Sequence, residues 1–265
     1  MQRLRKVLYD HIATYSLLAL LAAMMLGWAL LALVFLPLLP RRRRTVAARR
    51  GIMAGLRAFS WVLTLSGAYQ LDLREIDALR DGPPVILAPN HPTLIDAILI
   101  LARHPNLACV LKPQLMGNLF LGTAARFARY IRSGPPRRMI KEAVEELHRG
   151  GILLLFPEGT RTRRAPINPL TASVGVIAKH ARMPVQVAVV ESDSPYLSKG
   201  WSLFRVPSLP ITYRVRLGRR FDPPTDVAVF MEELEREFRT QLAGAPQSGW
   251  LRELHLAQSQ LMQTR

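Results

Sequence analysis

The sequence predicts an α/β domain, a mixed sheet flanked by helices, set behind an N-terminal membrane-anchoring helix. The first observation is the stretch TYSLLALLAAMMLGWALLALVF, Thr14 to Phe35, in which only Tyr15 carries an ionisable side chain. As a helix it would extend ~33 Å at 1.5 Å per residue, about one hydrocarbon thickness. The second is the pattern after Ala68, where short apolar runs alternate with longer amphipathic ones, as strands and helices do in α/β proteins. The third is charge. The 265 residues carry 36 Lys and Arg against 19 Asp and Glu, a net +17, which calls for an anionic partner, nucleic acid or a phospholipid surface. The apolar segment selects the phospholipid surface.

Residues 1–44 are expected to form the anchor and its basic flank. A cleaved signal peptide would have a shorter apolar stretch and a small-residue cleavage site; here the stretch runs into Pro37, Pro40 and the run Arg41 to Arg44. Arg41 to Arg44, Arg49 and Arg50 outweigh Arg3, Arg5 and Lys6, so the positive-inside rule places the body on the cytoplasmic side. A hairpin or a helix lying in one leaflet, turned by Pro37 and Pro40, stays open and keeps both ends on that side. Residues 45–71 repeat Ile52, Met53, Leu56, Phe59, Val62 and Leu65 at helical spacing with Arg49, Arg50 and Arg57 alongside; they read as an interfacial helix or as the first helix of the core.

Residues 72–243 are the expected catalytic-sized domain. Its strands are predicted at Pro84–Ala88, Leu107–Leu111, Ile152–Phe156, Val185–Val190 and Ile211–Leu217, each a short apolar run. Helices are predicted between them at Leu94–Arg103, Met116–Tyr130, Pro136–Arg149 and Pro169–Arg182, with a surface helix at Asp226–Leu242 that repeats Val227, Phe230, Leu234, Phe238 and Leu242. Residues 244–265 open on the hinge GAPQSG and continue as a terminal helix, Trp250 to Gln263. The one cysteine, Cys109, lies in an apolar run, which excludes an intramolecular disulfide and reads as a buried structural thiol.

Two stretches carry candidate chemistry. In NHPTLID, residues 90–96, Pro92 suits the first turn of a helix, which makes His91 its expected cap. Five steps inside a helix would separate His91 and Asp96 by ~140°, but an imidazole at a cap folds back over the first turn and can meet Asp96. Such a carboxylate fixes the imidazole tautomer and stabilises the imidazolium while the other nitrogen takes a proton from a hydroxyl. The chain has no G-x-S-x-G elbow and no S-x-x-K, so that hydroxyl is expected on the substrate. The second stretch, FPEGTRTRR, follows the run Gly151 to Phe156. Its glycine permits close backbone approach, Thr160 and Thr162 offer hydroxyls, and three arginines offer forked donors, a combination suited to phosphate.

NHPTLID followed about sixty residues later by LLLFPEGTRTR resembles the glycerolipid acyltransferase family, best known for the 1-acylglycerol-3-phosphate acyltransferases of phospholipid synthesis. The resemblance covers residues 84–190 and implies a single acyltransferase domain. It implies that His91 is the general base deprotonating the acceptor hydroxyl for attack on an acyl thioester, that Asp96 orients it, and that no acyl-enzyme forms. It implies that Lys112 and Arg132 bind the acceptor's phosphate, and that Glu158, Gly159, Thr160 and Arg161 complete the acceptor site, the arginine on phosphate and the glutamate ordering the loop or bonding the glycerol. Two blocks depart from the family's pattern: ARYIRSG stands where G-x-I-F-I-D-R is usual, and PVQVAVV puts Val187 where a second proline is usual. SPYLSKGWSLFRVP, residues 194–207, resembles a subgroup of specialised lipid and aryl-polyene pathways.

The expected partners are therefore the bilayer, a lysophospholipid and an acyl-carrier-protein or coenzyme A thioester as co-substrate, with no cofactor and no nucleic acid. The inner (cytoplasmic) membrane is the expected location, with the catalytic domain on its cytoplasmic side. His11, His104, His148, His180 and His255 lack metal-ligand spacing and there is no H-E-x-x-H or P-loop, so no metal site is expected. Two other readings stay open: a different acceptor, such as an amino-acid lipid or polyene precursor, and a non-catalytic basic membrane tether.

Overall fold

The computed structural model describes residues 1–247 and 249–253. Seven strands form one sheet: β1 (Tyr69–Asp72), β2 (Ile86–Pro89), β3 (Leu107–Leu111), β4 (Ile131–Arg132), β5 (Ile152–Leu154), β6 (Val185–Ser192) and β7 (Ile211–Phe221), in the order β1-β7-β6-β2-β5-β3-β4. All neighbouring pairs are parallel except β6 with β7, so the sheet is mixed, as predicted. Every residue of β2 and of β5 is buried, because a central parallel strand is covered on both faces and must be apolar throughout.

One face is covered by α1 (Gln2–Phe35), α2 (Arg41–Leu65), α3 (Asp96–Leu101) and α5 (Leu119–Phe127), with the short α4 (Pro113–Gly117) preceding α5. The other is covered by α6 (Pro136–His148), α7 (Ser173–Ala181) and α8 (Val227–Gln241). The surface helix predicted from Asp226 is α8, and Asp226 caps it by accepting from Ala228 N–H at 2.7 Å and Val229 N–H at 3.2 Å. The expected single helix from Met116 to Tyr130 is two, because Asn118 turns extended at ψ 132° between α4 and α5. The predicted helix from Trp250 to Gln263 falls, past residue 253, outside the described residues.

The apolar segment is part of a longer helix. α1 runs 34 residues, about 51 Å at 1.5 Å each, and its buried residues Asp10, Ala13, Thr14, Leu17, Ala29 and Ala32 form one stripe. Leu8, Ile12, Leu26, Leu30 and Val34 on its other faces are exposed. α2 folds back along α1 across a proline-containing turn at Leu36–Leu38. The two helices meet where Gly51 receives the Trp28 ring: a Cβ there would lie 1.9 Å from the indole, so only glycine permits the contact.

α2 is tied to the body by a buried cation. Arg49 donates to Ala128 O at 2.9 Å, to Asn106 Oδ1 at 2.9 Å and to the Glu146 carboxylate of α6 at 2.6 Å. Both side chains of that ion pair are almost wholly buried. Within residues 45–71, the Arg49 face of α2 packs on the body, while Trp61 and Leu65 are exposed.

Candidate active site

The site grows from the end of β2, where the chain must leave the sheet without wasting hydrogen bonds. Asn90 continues the ladder with its side chain, donating from Nδ2 to Val190 O at 2.9 Å and accepting Val190 N–H on Oδ1 at 2.7 Å. The amide thus stands in for a peptide group facing β6. The next main-chain groups are free to face β5's loop: His91 N–H donates to Glu158 Oε1 at 2.8 Å, and Thr162 N–H donates to His91 O at 2.7 Å.

His91 does not cap a helix as expected. α3 begins at Asp96 with Ile95 at its N-cap, and residues 92–95 form a turn. The cause is the Asp96 carboxylate, which accepts the Thr93 N–H at 2.8 Å on Oδ2 and the Thr93 hydroxyl on Oδ1. Those bonds offer the backbone an alternative to helix and bring the carboxylate under the imidazole. His91 Nδ1 donates to Asp96 Oδ2 at 2.9 Å. Asp96 is fully buried, and the Tyr213 hydroxyl of β7 donates to Thr93 Oγ1 at 2.8 Å behind it. The Phe156 ring stacks on the imidazole at 3.9 Å between centroids, 23° apart. With Nδ1 committed and Phe156 stacked on the ring, Nε2 is the nitrogen with an available lone pair, and 15% of the side chain is exposed.

The second stretch turns directly after β5. Gly159 N–H closes the turn onto Phe156 O at 3.0 Å, and Gly159 adopts φ 63°, the left-handed region that glycine enters without a Cβ penalty. Glu158 is buried and fully engaged: besides His91 N–H it accepts the Thr162 hydroxyl at 2.7 Å and Asn168 N–H at 3.0 Å. Burial pushes its carboxyl above the usual range, and those three donors oppose the shift. Of its two expected roles, the geometry fits ordering the loop, since both carboxylate oxygens are taken by the protein.

The cations stand unequally. Arg161, half-buried, directs Nη1 at Leu197 O (2.8 Å) and Ser198 O (2.9 Å). Thr160 Oγ1 accepts from Lys199 Nζ at 2.9 Å. Burial, and then Lys112, Arg163 and Arg161, hold the Lys199 ammonium below the usual lysine range, so these four cations share one locality. Among the described residues none of the four forms an ion pair. Arg132 is separate. It ends β4, three ladder spacings from β2, roughly 14 Å at about 4.8 Å each, exposed on a groove of about 580 Å³ with Arg129, Lys141 and Glu142. An apolar cavity of about 80 Å³ lies on the other flank of NHPTLID, lined by Leu94, Ile98, Leu17, Leu21, Leu63 and Leu203 among others.

The structure therefore brings together His91, Asp96, Glu158, Gly159, Thr160 and Arg161, keeps Lys112 within electrostatic reach and sets Arg132 apart. Sequence reasoning missed Asn90, Thr93, Tyr213 and Lys199. The first two were visible as hydrogen-bonding side chains within the quoted stretch, whereas nothing local marks Tyr213 or Lys199. Cys109 supplies no nucleophile, since burial pushes its thiol up to about 12.

A model of the family described as Acyltransferase matches residues 70–191, the segment from β1 to β6 that holds both stretches. The 1-acyl-sn-glycerol-3-phosphate acyltransferase of Pseudomonas aeruginosa is 25% identical over 213 residues, 78% of this chain and 79% of that protein. The enzyme of the same name from Helicobacter pylori is 23% identical over 193 residues, 70% of this chain and 78% of its own. The crystal structure of the 1-acyl-sn-glycerophosphate (LPA) acyltransferase PlsC from Thermotoga maritima shares the fold, with a TM-score of 0.68 over 92% of this chain and 97% of that one at 18% identity. Residues 70–191 thus form an Acyltransferase domain, and the chain is an acyltransferase similar over most of its length to the 1-acyl-sn-glycerol-3-phosphate acyltransferases.

Proposed function

We propose that the protein transfers a fatty acyl chain from a thioester, carried by acyl carrier protein or coenzyme A, to the free hydroxyl of a lysophospholipid, 1-acylglycerol-3-phosphate. The observation that carries this reading is the His91 Nδ1 to Asp96 contact at 2.9 Å, which leaves Nε2 as a base beside a group of cations that mutually repel. Nε2 takes the hydroxyl proton as the acceptor oxygen bonds to the thioester carbonyl. The tetrahedral oxyanion then collapses, the C–S bond breaks, and the departing thiolate receives the proton from the imidazolium. Asp96 stabilises that imidazolium, a positioned base being worth ~10²–10⁴-fold. Lys112 and Arg161 receive the phosphate, Arg132 extends that field along the rim, and Gly159 and Thr160 line the acceptor's path. Glu158 fixes the loop that presents them. The apolar cavity beside Leu94 suits an alkyl chain.

Acceptor and product are both lipids, and α1 accounts for access to them. Only 11% of its most apolar window is buried. Near its start Lys6 donates to Leu209 O at 2.9 Å, Tyr9 to Ser66 O at 2.7 Å and Tyr15 to Phe204 O at 3.1 Å; it also packs on α5 and on α2, meeting α2 where Trp28 covers Gly51. A helix held to one body along its length has both ends on one side of a bilayer. This supports the hairpin in one leaflet over a spanning anchor, with the domain on the cytoplasmic face of the inner membrane and Leu203 and Phe204, both exposed, dipping beside α1.

The test is transfer of a labelled acyl chain by membranes holding the protein, with acyl-carrier-protein and coenzyme A donors in separate arms. Transfer to 1-acylglycerol-3-phosphate that falls at least a hundredfold in His91→Ala supports the reading; full transfer by His91→Ala overturns it.

A further inference from the structure

We propose that Lys199, carried on the loop between β6 and β7, is a specificity-determining contact for the acceptor's phosphate, held in place by the Thr160 hydroxyl. The assignment rests on the acyl-transfer reading of the same site. Leu197 adopts φ 59°, a conformation unfavourable for a side chain that branches at Cγ and seldom kept without compensation. Two donors hold it there: Leu94 N–H, three residues past His91, donates to Leu197 O at 3.0 Å, and Arg161 Nη1 donates to the same carbonyl and to Ser198 O. One bond comes from each of the two motif stretches. The loop is thus clasped across the site's mouth, and the residue that follows the clasp is Lys199.

Lys199 Nζ donates one hydrogen to Thr160 Oγ1 at 2.9 Å, which aims the ammonium and leaves two donors. No carboxylate lies within ion-pair distance of it, of Lys112, of Arg161 or of Arg163 among the described residues. Asp96 attracts Arg161 from beyond ion-pair distance, but Lys199 feels the repulsion of Lys112, Arg163 and Arg161, and cations that repel one another are stabilised when an anion enters. Arg161, meanwhile, has one guanidinium nitrogen committed to the loop. The division of labour follows: Arg161 is a positioning residue for the loop as well as a charge, and Lys199 contributes a directed, charge-assisted bond to the phosphate.

The experiment compares two acceptors differing only in the phosphate, 1-acylglycerol-3-phosphate and uncharged 1-acylglycerol, with the full-length protein in phospholipid vesicles. For Lys199→Gln the ratio of kcat/KM for the phosphate acceptor to that for the uncharged one falls by about 10- to 100-fold, the weight of one charge-assisted hydrogen bond, and the fall resides in KM. Lys199→Arg restores part of it. Equal losses for both acceptors would mean that Lys199 merely supports the loop, and an unchanged ratio would mean that it touches no phosphate; either overturns the proposal. Loss of transfer to both acceptors by the unmodified protein would overturn the acyl-transfer reading instead. Competitive inhibition by glycerol 3-phosphate gives an independent measure, weakened in Lys199→Gln if the contact exists and unaltered if it does not.

Discussion

Replacing Asp96 by asparagine keeps the shape of the site and removes its buried charge. The carboxylate takes two donors on Oδ2, from His91 at 2.9 Å and Thr93 N–H at 2.8 Å, and the Thr93 hydroxyl on Oδ1. An amide keeps most by placing its oxygen at the Oδ2 position, which sets its NH2 against Thr93 Oγ1. That oxygen already accepts the Tyr213 hydroxyl at 2.8 Å, so the Thr93 hydrogen loses its acceptor, at a cost of about 1.5–3 kcal/mol for a bond to a charged group. Catalysis suffers more. The imidazolium formed as the hydroxyl proton moves would have faced a negative charge at a centre-to-centre distance of about 4 Å, worth about 4 kcal/mol at an effective dielectric near 20. Allowing for partial proton transfer, kcat should fall about 10²–10³-fold, with KM little altered because the charge exists only in the transition state. Thiol release from the acyl thioester at saturating acceptor measures kcat, and urea unfolding in detergent measures stability. A folded Asp96→Asn protein turning over within about threefold of the unmodified one would refute the pairing as a catalytic device.

Three further outcomes follow from contacts elsewhere. Arg49→Met strands the Glu146 carboxylate in the core and should cost about 3–5 kcal/mol by denaturant titration, while Arg49→Met with Glu146→Met should recover most of it; a single-variant cost below about 1 kcal/mol would disprove the anchoring of α2. Because the Glu158 carboxyl is raised by burial, the folded state keeps its proton where the unfolded chain has lost it, so this group favours folding below the ordinary carboxyl range and its contribution fades as pH rises through the folded value. The stability of unmodified protein relative to Glu158→Gln should therefore decline over that interval, and a pH-independent difference between them would contradict the shift. Leu203→Asp with Phe204→Asp should weaken co-sedimentation with anionic phospholipid vesicles by about 2–4 kcal/mol if those side chains enter the lipid, and unchanged sedimentation would place the tip in water.

What the sequence made legible was whatever a residue owes to its near neighbours. β3 was expected and found at Leu107–Leu111, and β2, β5 and β6 were expected within a few residues of their bounds, because a strand buried on both faces must be an unbroken apolar run. β1 and β4 were invisible: YQLD and IR are edge strands with no such run, and they exist because β7 and β3 offer them partners. The same division runs through the site. His91 and Asp96 lie five residues apart and were read as a pair, although the expected cap geometry lost to the bonds that Asp96 makes with Thr93. For Glu158 the family resemblance implies either ordering the loop or bonding the glycerol; its donors come from residues 67, 4 and 10 positions away, and no local pattern announces such convergence. Tyr213 reaches Thr93 across 120 positions and Lys199 reaches Thr160 across 39. A local motif can therefore pair His91 with its carboxylate, but the groups that hold the carboxylate and fill the cation cluster arrive through the sheet order, in which β7 and the loop before it close over the ends of β2 and β5. The Lys199→Gln comparison of phosphate and uncharged acceptors therefore tests a residue that no motif marks, brought to Thr160 only by that distant loop.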